Sequence, residues 1–188
     1  MENFAIKKTR YSRTGKIQTP LPDDKAFIKG MKEGKFCQER QKGIPVLQYY
    51  TAIRISEALR CIPEQFQIQQ TQLYFDVGKR LKHGTHTPAL VIPRDADYVE
   101  ELIKIIRSTK SGQRIFPYCR KTGYNVIVRA FGFYPHFFRL NRITNFFLEG
   151  WSIAEVRTWT GLTLTALDYY VGLVNIQKMG MSLAKKKK

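Results

Sequence analysis

The chain has 188 residues, 43% of them apolar, enough for one domain with its own core. Its 32 Lys and Arg stand against 15 Asp and Glu, a formal +17 that implies a polyanionic partner, nucleic acid first. No run of 18 apolar residues and no signal-like apolar leader occurs, and the three cysteines are odd in number and far apart, so the composition excludes a bilayer-spanning chain and a disulfide scaffold and fits the reducing cytoplasm.

Residues 1–20 hold Lys7, Lys8, Arg10, Arg13 and Lys16 among Ser, Thr and Gly, and read as a flexible basic arm. Pro22-Asp23-Asp24 starts a helix that runs into Ala26, Phe27 and Met31, and a basic loop from Gly34 to Lys42 follows. The apolar spacing of Val46, Leu47, Tyr50, Ile53, Ala58 and Leu59 predicts one helix from about Pro45 to Arg60, with Arg54 inside it. Gln72 to Val77 alternates and is rich in strand formers, and Ala89 to Ile92 is a short apolar run ended by Pro93. The basic segment GKRLKHGTHT lies between them, so Gln72 to Pro93 reads as a hairpin or the end of a small sheet. Asp95-Ala96-Asp97 is expected to cap a helix through Val99, Leu102, Ile105 and Ile106. Phe116-Pro117 marks an irregular connection, and Lys121 to Phe131 reads as a further helix.

Three helices fill the stretch from residue 132 to 171. Pro135 suits a helix start, and Phe138, Ile143, Phe146 and Phe147 give that helix an apolar face that ends before Gly150. His136 and Arg139, three apart, share one side of it. Ser152 with Glu155 makes a capping box for a second helix through Ile153, Val156 and Trp159, stopped at Gly161. Leu164, Leu167 and Val171 form the expected buried stripe of the third, which carries Tyr169 and Tyr170. Residues 179–188 read as a disordered Lys-rich tail. There is no CxxC, HExxH or glycine-rich phosphate loop, so no metal or other cofactor is expected.

These residues resemble the tyrosine recombinases, the family of the phage integrases and their cellular relatives. Thr51 to Leu59 (TAIRISEAL) resembles the box around the family's first catalytic arginine, and Pro135-His-Phe-Phe-Arg139 resembles its His-x-x-Arg box. Gly161 to Tyr170 (GLTLTALDYY) resembles the nucleophile box, and the basic turn between two strands stands where the family keeps a lysine. The likeness covers roughly residues 43–175, and four boxes in the right order are more specific than any one. It implies a mostly helical α+β catalytic domain at 21–178, a small antiparallel sheet or hairpin flanked by helices. It also implies site-specific cleavage and rejoining of double-stranded DNA through a covalent 3′-phosphotyrosine, without metal or ATP. A homotetramer on paired sites is implied too, with no membrane and no small-molecule substrate. The implied catalytic residues are Arg54, Lys82, His136, Arg139 and Tyr170. Lys79 competes with Lys82, which lies nearer the turn, and Tyr169 competes with Tyr170, which the alignment of Leu164-Thr165 favours. Arg80, His86 and Arg142 are implied DNA contacts.

The sequence departs from the family pattern at Leu162, where His or Trp is usual; Trp159, three residues earlier, is a possible substitute. About 40 residues precede the start of the likeness, too few for an independent DNA-clamping domain.

The residue types suit the implied chemistry. Two arginines can hold the non-bridging oxygens of a phosphodiester bidentately and stay charged at any working pH. A lysine can protonate the leaving 5′-oxygen, and a histidine can accept the tyrosine proton or bond a phosphate oxygen. A tyrosine is a weak nucleophile near its ordinary pKa of about 10 until positive charge draws it down. Each residue also has a plainer reading: Arg54 in an ion pair with Glu57, His136 at the surface, the tyrosines in the core. The rival function is a non-catalytic DNA binder, with residues 152–171 as a helix-turn-helix, or a recombinase fold that has lost activity.

Overall fold

The computed structural model describes residues 24–78 and 89–185, apart from the side chains of residues 173 and 176–185. Eight helices and three strands are present among them: α1 (Asp24–Glu33), α2 (Gly43–Thr51), α3 (Ile55–Ala58), β1 (Phe66–Ile68), β2 (Gln72–Phe75), β3 (Leu90–Pro93), α4 (Val99–Arg107), α5 (Arg120–Phe131), α6 (His136–Leu148), α7 (Ile153–Thr160) and α8 (Leu164–Lys185). This is the expected mostly helical α+β fold with a small antiparallel sheet.

Helix α2 is the hub. It is apolar nearly all round, with Ile44, Val46, Leu47 and Tyr49 all buried, as a helix with neighbours on every side must be. It packs on α6 and α4, touches β3, and continues into α3. Helix α4 has a cleaner stripe, Val99, Leu102, Ile103, Ile105 and Ile106, opposite Glu100, Glu101, Lys104 and Arg107. Each such apolar side chain contributes about 1.5–3 kcal/mol on burial. An aromatic cluster joins α1 to α2, α5 and α6. Phe27 stacks on Tyr49 at 3.8 Å, and Phe131 meets Phe138 edge-on at 5.0 Å.

The sheet has order β1-β2-β3, both pairs antiparallel. Leu73 faces Ile92 and Phe75 faces Leu90, so alternate residues of β2 and β3 point into the core. The expected hairpin is therefore real, with one strand more than expected. Strand β1 pairs Phe66 with Phe75, and Phe66 stacks on Phe75 at 4.5 Å. The β2–β3 connection leaves at the Phe75/Leu90 end, and its first residues are fixed by Gln65, which accepts from the Asp76 N–H at 2.8 Å.

Three local expectations are corrected. The helix expected from Pro45 to Arg60 is broken: α2 ends at Thr51, Ala52 turns left-handed with φ 56°, and α3 starts anew at Ile55. Three β-branched residues (Thr51, Ile53, Ile55) crowd a helix here, and the Glu57 carboxylate accepts from the Arg54 N–H at 2.6 Å, offering the chain a fresh helix start. Helix α4 is entered through Tyr98, with φ 64°, and no Asp side chain caps it. In α8, Leu164 is 53% exposed; the buried stripe is Leu167, Tyr170 and Val174, at spacings of three and four. Backbone α8 continues to Lys185, through the first part of the expected disordered tail, and residues 186–188 lie outside the described ones, as do residues 1–23 with the basic arm. Among the described residues no helix is long and apolar enough to cross a membrane.

Candidate active site

The break between α2 and α3 brings Arg54 to the surface. Ala52 and Ile53 on either side of the turn are fully buried, while the Arg54 side chain is 55% exposed. Its guanidinium pairs with Glu57 at 2.9 Å, so the plainer reading of this arginine holds locally. Arg54 also lines an open cavity of about 410 Å³, together with Arg120, Tyr134, His136 and Arg139.

Helix α6 supplies the far wall. His136 is its first residue and Arg139 lies one turn on. Arg139 is only 2% exposed, and its guanidinium donates to the Ala52 carbonyl at 2.5 Å and the Thr160 carbonyl at 3.3 Å. Those carbonyls belong to the turns after α2 and α7. One buried cation thus ties together the segment that carries Arg54 and the segment that leads to α8.

The turn from α7 into α8 sets the tyrosines. Ser152 and Glu155 form the expected capping box, with the Glu155 N–H donating to Ser152 Oγ at 3.2 Å and the Ser152 N–H to Glu155 Oε2 at 2.7 Å. Gly161 closes α7 with φ 63°, a conformation glycine adopts without strain. Helix α8 then packs on α6 with Leu167 and Tyr170 inward. Tyr170 is turned toward the Arg139 guanidinium, whose charge acts on its hydroxyl, whereas Tyr169 faces outward at 44% exposed. Leu162 is half-buried against the core. Trp159 does not take its place in the cavity: its ring packs on Phe146 at 5.6 Å and Trp151 at 5.5 Å.

The sequence-derived residues therefore divide into three groups. Arg54, His136, Arg139 and Tyr170 come together. Arg142, the implied DNA contact on the same helix, lies 3.1 Å from Glu149 and 4.4 Å above the Phe146 ring. Lys79, Arg80, Lys82 and His86 lie outside the described residues. Sequence reasoning missed Arg120, Tyr124 and Tyr134, which also line the cavity; Tyr124 and Tyr134 stack at 5.6 Å. The available signal was the i,i+4 placement of Arg120 and Tyr124 at the start of α5.

The electrostatics follow from this crowding. Burial on the protein side holds the His136 imidazole below its ordinary pKa, and the Arg139 and Arg54 charges push it further down. It is therefore neutral at pH 7 and able to accept a proton. Burial also lowers Arg139, with Arg54 adding to the effect and Glu57 and Tyr170 opposing it, yet a guanidinium remains charged. Tyr170 is held above the ordinary phenol range by burial; Arg139 and Arg54 oppose that shift without cancelling it. Chemically, the cavity is a cationic cradle for an anion, with a neutral base at its rim and a protonated phenol against one of its cations.

No protein-family model matches the sequence, and no curated protein matches it. Solved structures do share its fold. The XerH site-specific recombinase in a post-cleavage complex with its palindromic difH substrate superposes with a TM-score of 0.68 at 16% identity, over 95% of this chain and 56% of that one. XerH in its pre-cleavage complex gives 0.62 at 16% identity, over 78% of this chain and 47% of that one. The integrase of the transposon Tn1549, in complex with circular intermediate DNA, gives 0.57 at 15% identity, over 82% of this chain and 61% of that one. The chain spans about half the length of these chains, and its fold is the one seen in tyrosine recombinases.

Proposed function

We propose that the chain is a tyrosine recombinase that cleaves and rejoins duplex DNA through a covalent 3′-phosphotyrosine at Tyr170. The observation that carries the reading is the meeting of Arg54, His136 and Arg139 in one cavity, with buried Tyr170 beside Arg139. The XerH and Tn1549 structures, each of a protein bound to DNA, support it by fold.

In the proposed step a scissile phosphate lies on Arg54 and Arg139. The Tyr170 oxygen attacks phosphorus and yields its proton to neutral His136. The phosphorus–5′-oxygen bond breaks, and Lys82, on the β2–β3 connection, protonates the leaving oxygen. Rejoining is the reverse with a new 5′-hydroxyl. The phosphotyrosine conserves the energy of the phosphodiester, so neither ATP nor a metal enters. The guanidinium pair stabilises charge that grows in the transition state, an effect worth about 3–4 kcal/mol per well-placed donor. Recombination between two sites would require several copies, a tetramer on paired sites, acting on intracellular DNA.

A non-catalytic DNA binder is favoured by one feature, the aliphatic Leu162 at the position where the resemblance implies a phosphate-bonding side chain; the exposed Thr163 and Thr165 would then face DNA. Nicked duplexes that trap the covalent adduct separate the two. DNA selected for binding from a random pool, nicked at successive positions, should yield a protein–DNA adduct that survives denaturation. Tight binding with no adduct at any nick would favour the binder.

A further inference from the structure

The cavity holds more than one phosphate needs. A phosphate with its four oxygens takes the room of about three to four waters, roughly 100 Å³ at ~30 Å³ each. The cavity is about 410 Å³. Two of its three guanidiniums are those assigned to the scissile phosphate, Arg54 beside Glu57 and Arg139 held by two carbonyls. The third, Arg120, is exposed and has no hydrogen bond or ion pair among the described residues. It opens α5, and Tyr124, one turn later on the same face, is 38% exposed and stacks on Tyr134, two residues before His136. A cation, a wall of two aromatic rings and then the His136–Arg139 centre therefore follow one another round the cavity.

We propose that Arg120 binds the phosphate adjacent to the scissile one, with the deoxyribose between the two phosphates packed on the Tyr124–Tyr134 rings. The ligand is thus a dinucleotide step of one strand, and Arg120 is a positioning residue that fixes which phosphodiester meets Tyr170. This rests on the proposed strand-cleavage reading, which it deepens. A free arginine beside a rigid apolar wall matches the alternation of charge and sugar along a strand, and its guanidinium can grip two phosphate oxygens at once.

The test uses the full chain and a nicked duplex selected from a random pool, in which single phosphates are replaced one at a time by neutral methylphosphonates. Binding is measured for wild type, Arg120→Gln and Arg54→Gln. Arg120→Gln should weaken binding about 10-fold and lower the salt slope by about one, as loss of one phosphate contact does. One methylphosphonate position should weaken wild type by a similar factor and leave Arg120→Gln unaffected, and it should lie next to the position coupled in the same way to Arg54. Losses that multiply at every position, or an Arg120-coupled phosphate distant from the Arg54-coupled one, would overturn the assignment. The adduct is scored in the same samples. Coupling without adduct leaves Arg120 on its phosphate and removes the strand-cleavage reading; adduct without coupling does the reverse. Failure to select any bound DNA overturns both. Because Arg120 is exposed, its loss leaves the fold intact, which a thermal melt of Arg120→Gln verifies.

Discussion

Tyr169 and Tyr170 are adjacent in sequence, with rings 5.5 Å apart and 77° inclined, yet one is 44% exposed and the other 6%. Consecutive helical residues lie about 100° apart, so only one of them can face Arg139. Tyr170 does. We expect Tyr170→Phe to abolish the covalent adduct and Tyr169→Phe to retain it within a few-fold, measured by denaturing gel. Loss in Tyr169→Phe alone would move the nucleophile by one residue.

The two arginines should separate folding from chemistry. Arg139→Met leaves the Ala52 and Thr160 carbonyls without their donor, at about 1–3 kcal/mol for each buried group. We expect a loss of about 3–5 kcal/mol in total, on the order of 10 °C in Tm for a chain of this size. Arg54→Gln breaks only a surface ion pair and should cost less than about 1 kcal/mol while removing adduct formation. Equal stability losses in calorimetry would contradict the tether assigned to Arg139.

The pH profile has a fixed sign. Burial, Arg139 and Arg54 all depress His136. The rate of adduct formation should therefore rise from an acid limb centred below the ordinary value of about 6.5. Arg54→Gln removes one depressing charge, so the His136 titration of that variant, followed by NMR, should move toward about 6.5. Stability follows the same linkage: below about pH 6.5 the unfolded chain binds more protons than the folded one, so stability is full above that value and declines as pH falls through the folded pKa. His136→Gln should flatten this decline in urea melts.

Ala52 is fully buried at φ 56°, where a β-branched side chain is a steric outlier. Ala52→Val should cost about 2–3 kcal/mol from strain and overpacking, and should slow adduct formation by displacing Arg54. A variant with unchanged urea midpoint would mean that the turn re-forms helically.

Long periodic segments were legible in the sequence because their stripes repeat over three turns, as in α4 and α6, and because Ser152 and Glu155 announce the start of α7 through local chemistry. Tertiary partners decided the rest. Nothing in Thr51 to Ile55 shows that Arg139, 87 residues from Ala52, will accept the broken turn by filling its carbonyl. Strand β1 is three residues long, too short for alternation to register. Leu164 looked like core yet is exposed, and Tyr170 joins the buried stripe in its stead, turned toward a buried cation. Arg120 carried no signal beyond its i,i+4 spacing from Tyr124, and the cavity is what gives that spacing a meaning.

The bond from Arg139 to the Ala52 carbonyl also has a consequence for synthesis. The chain leaves the ribosome N-terminus first at about 5–20 residues per second, so the 87 residues separating these partners take roughly 4–17 s to emerge. Until then α2 and α3 can pack, but the turn between them lacks the cation that holds it, and the Thr160 carbonyl comes later still. The cationic centre is thus among the last features the nascent chain can complete, and a growing polypeptide displays its basic surface before that centre exists.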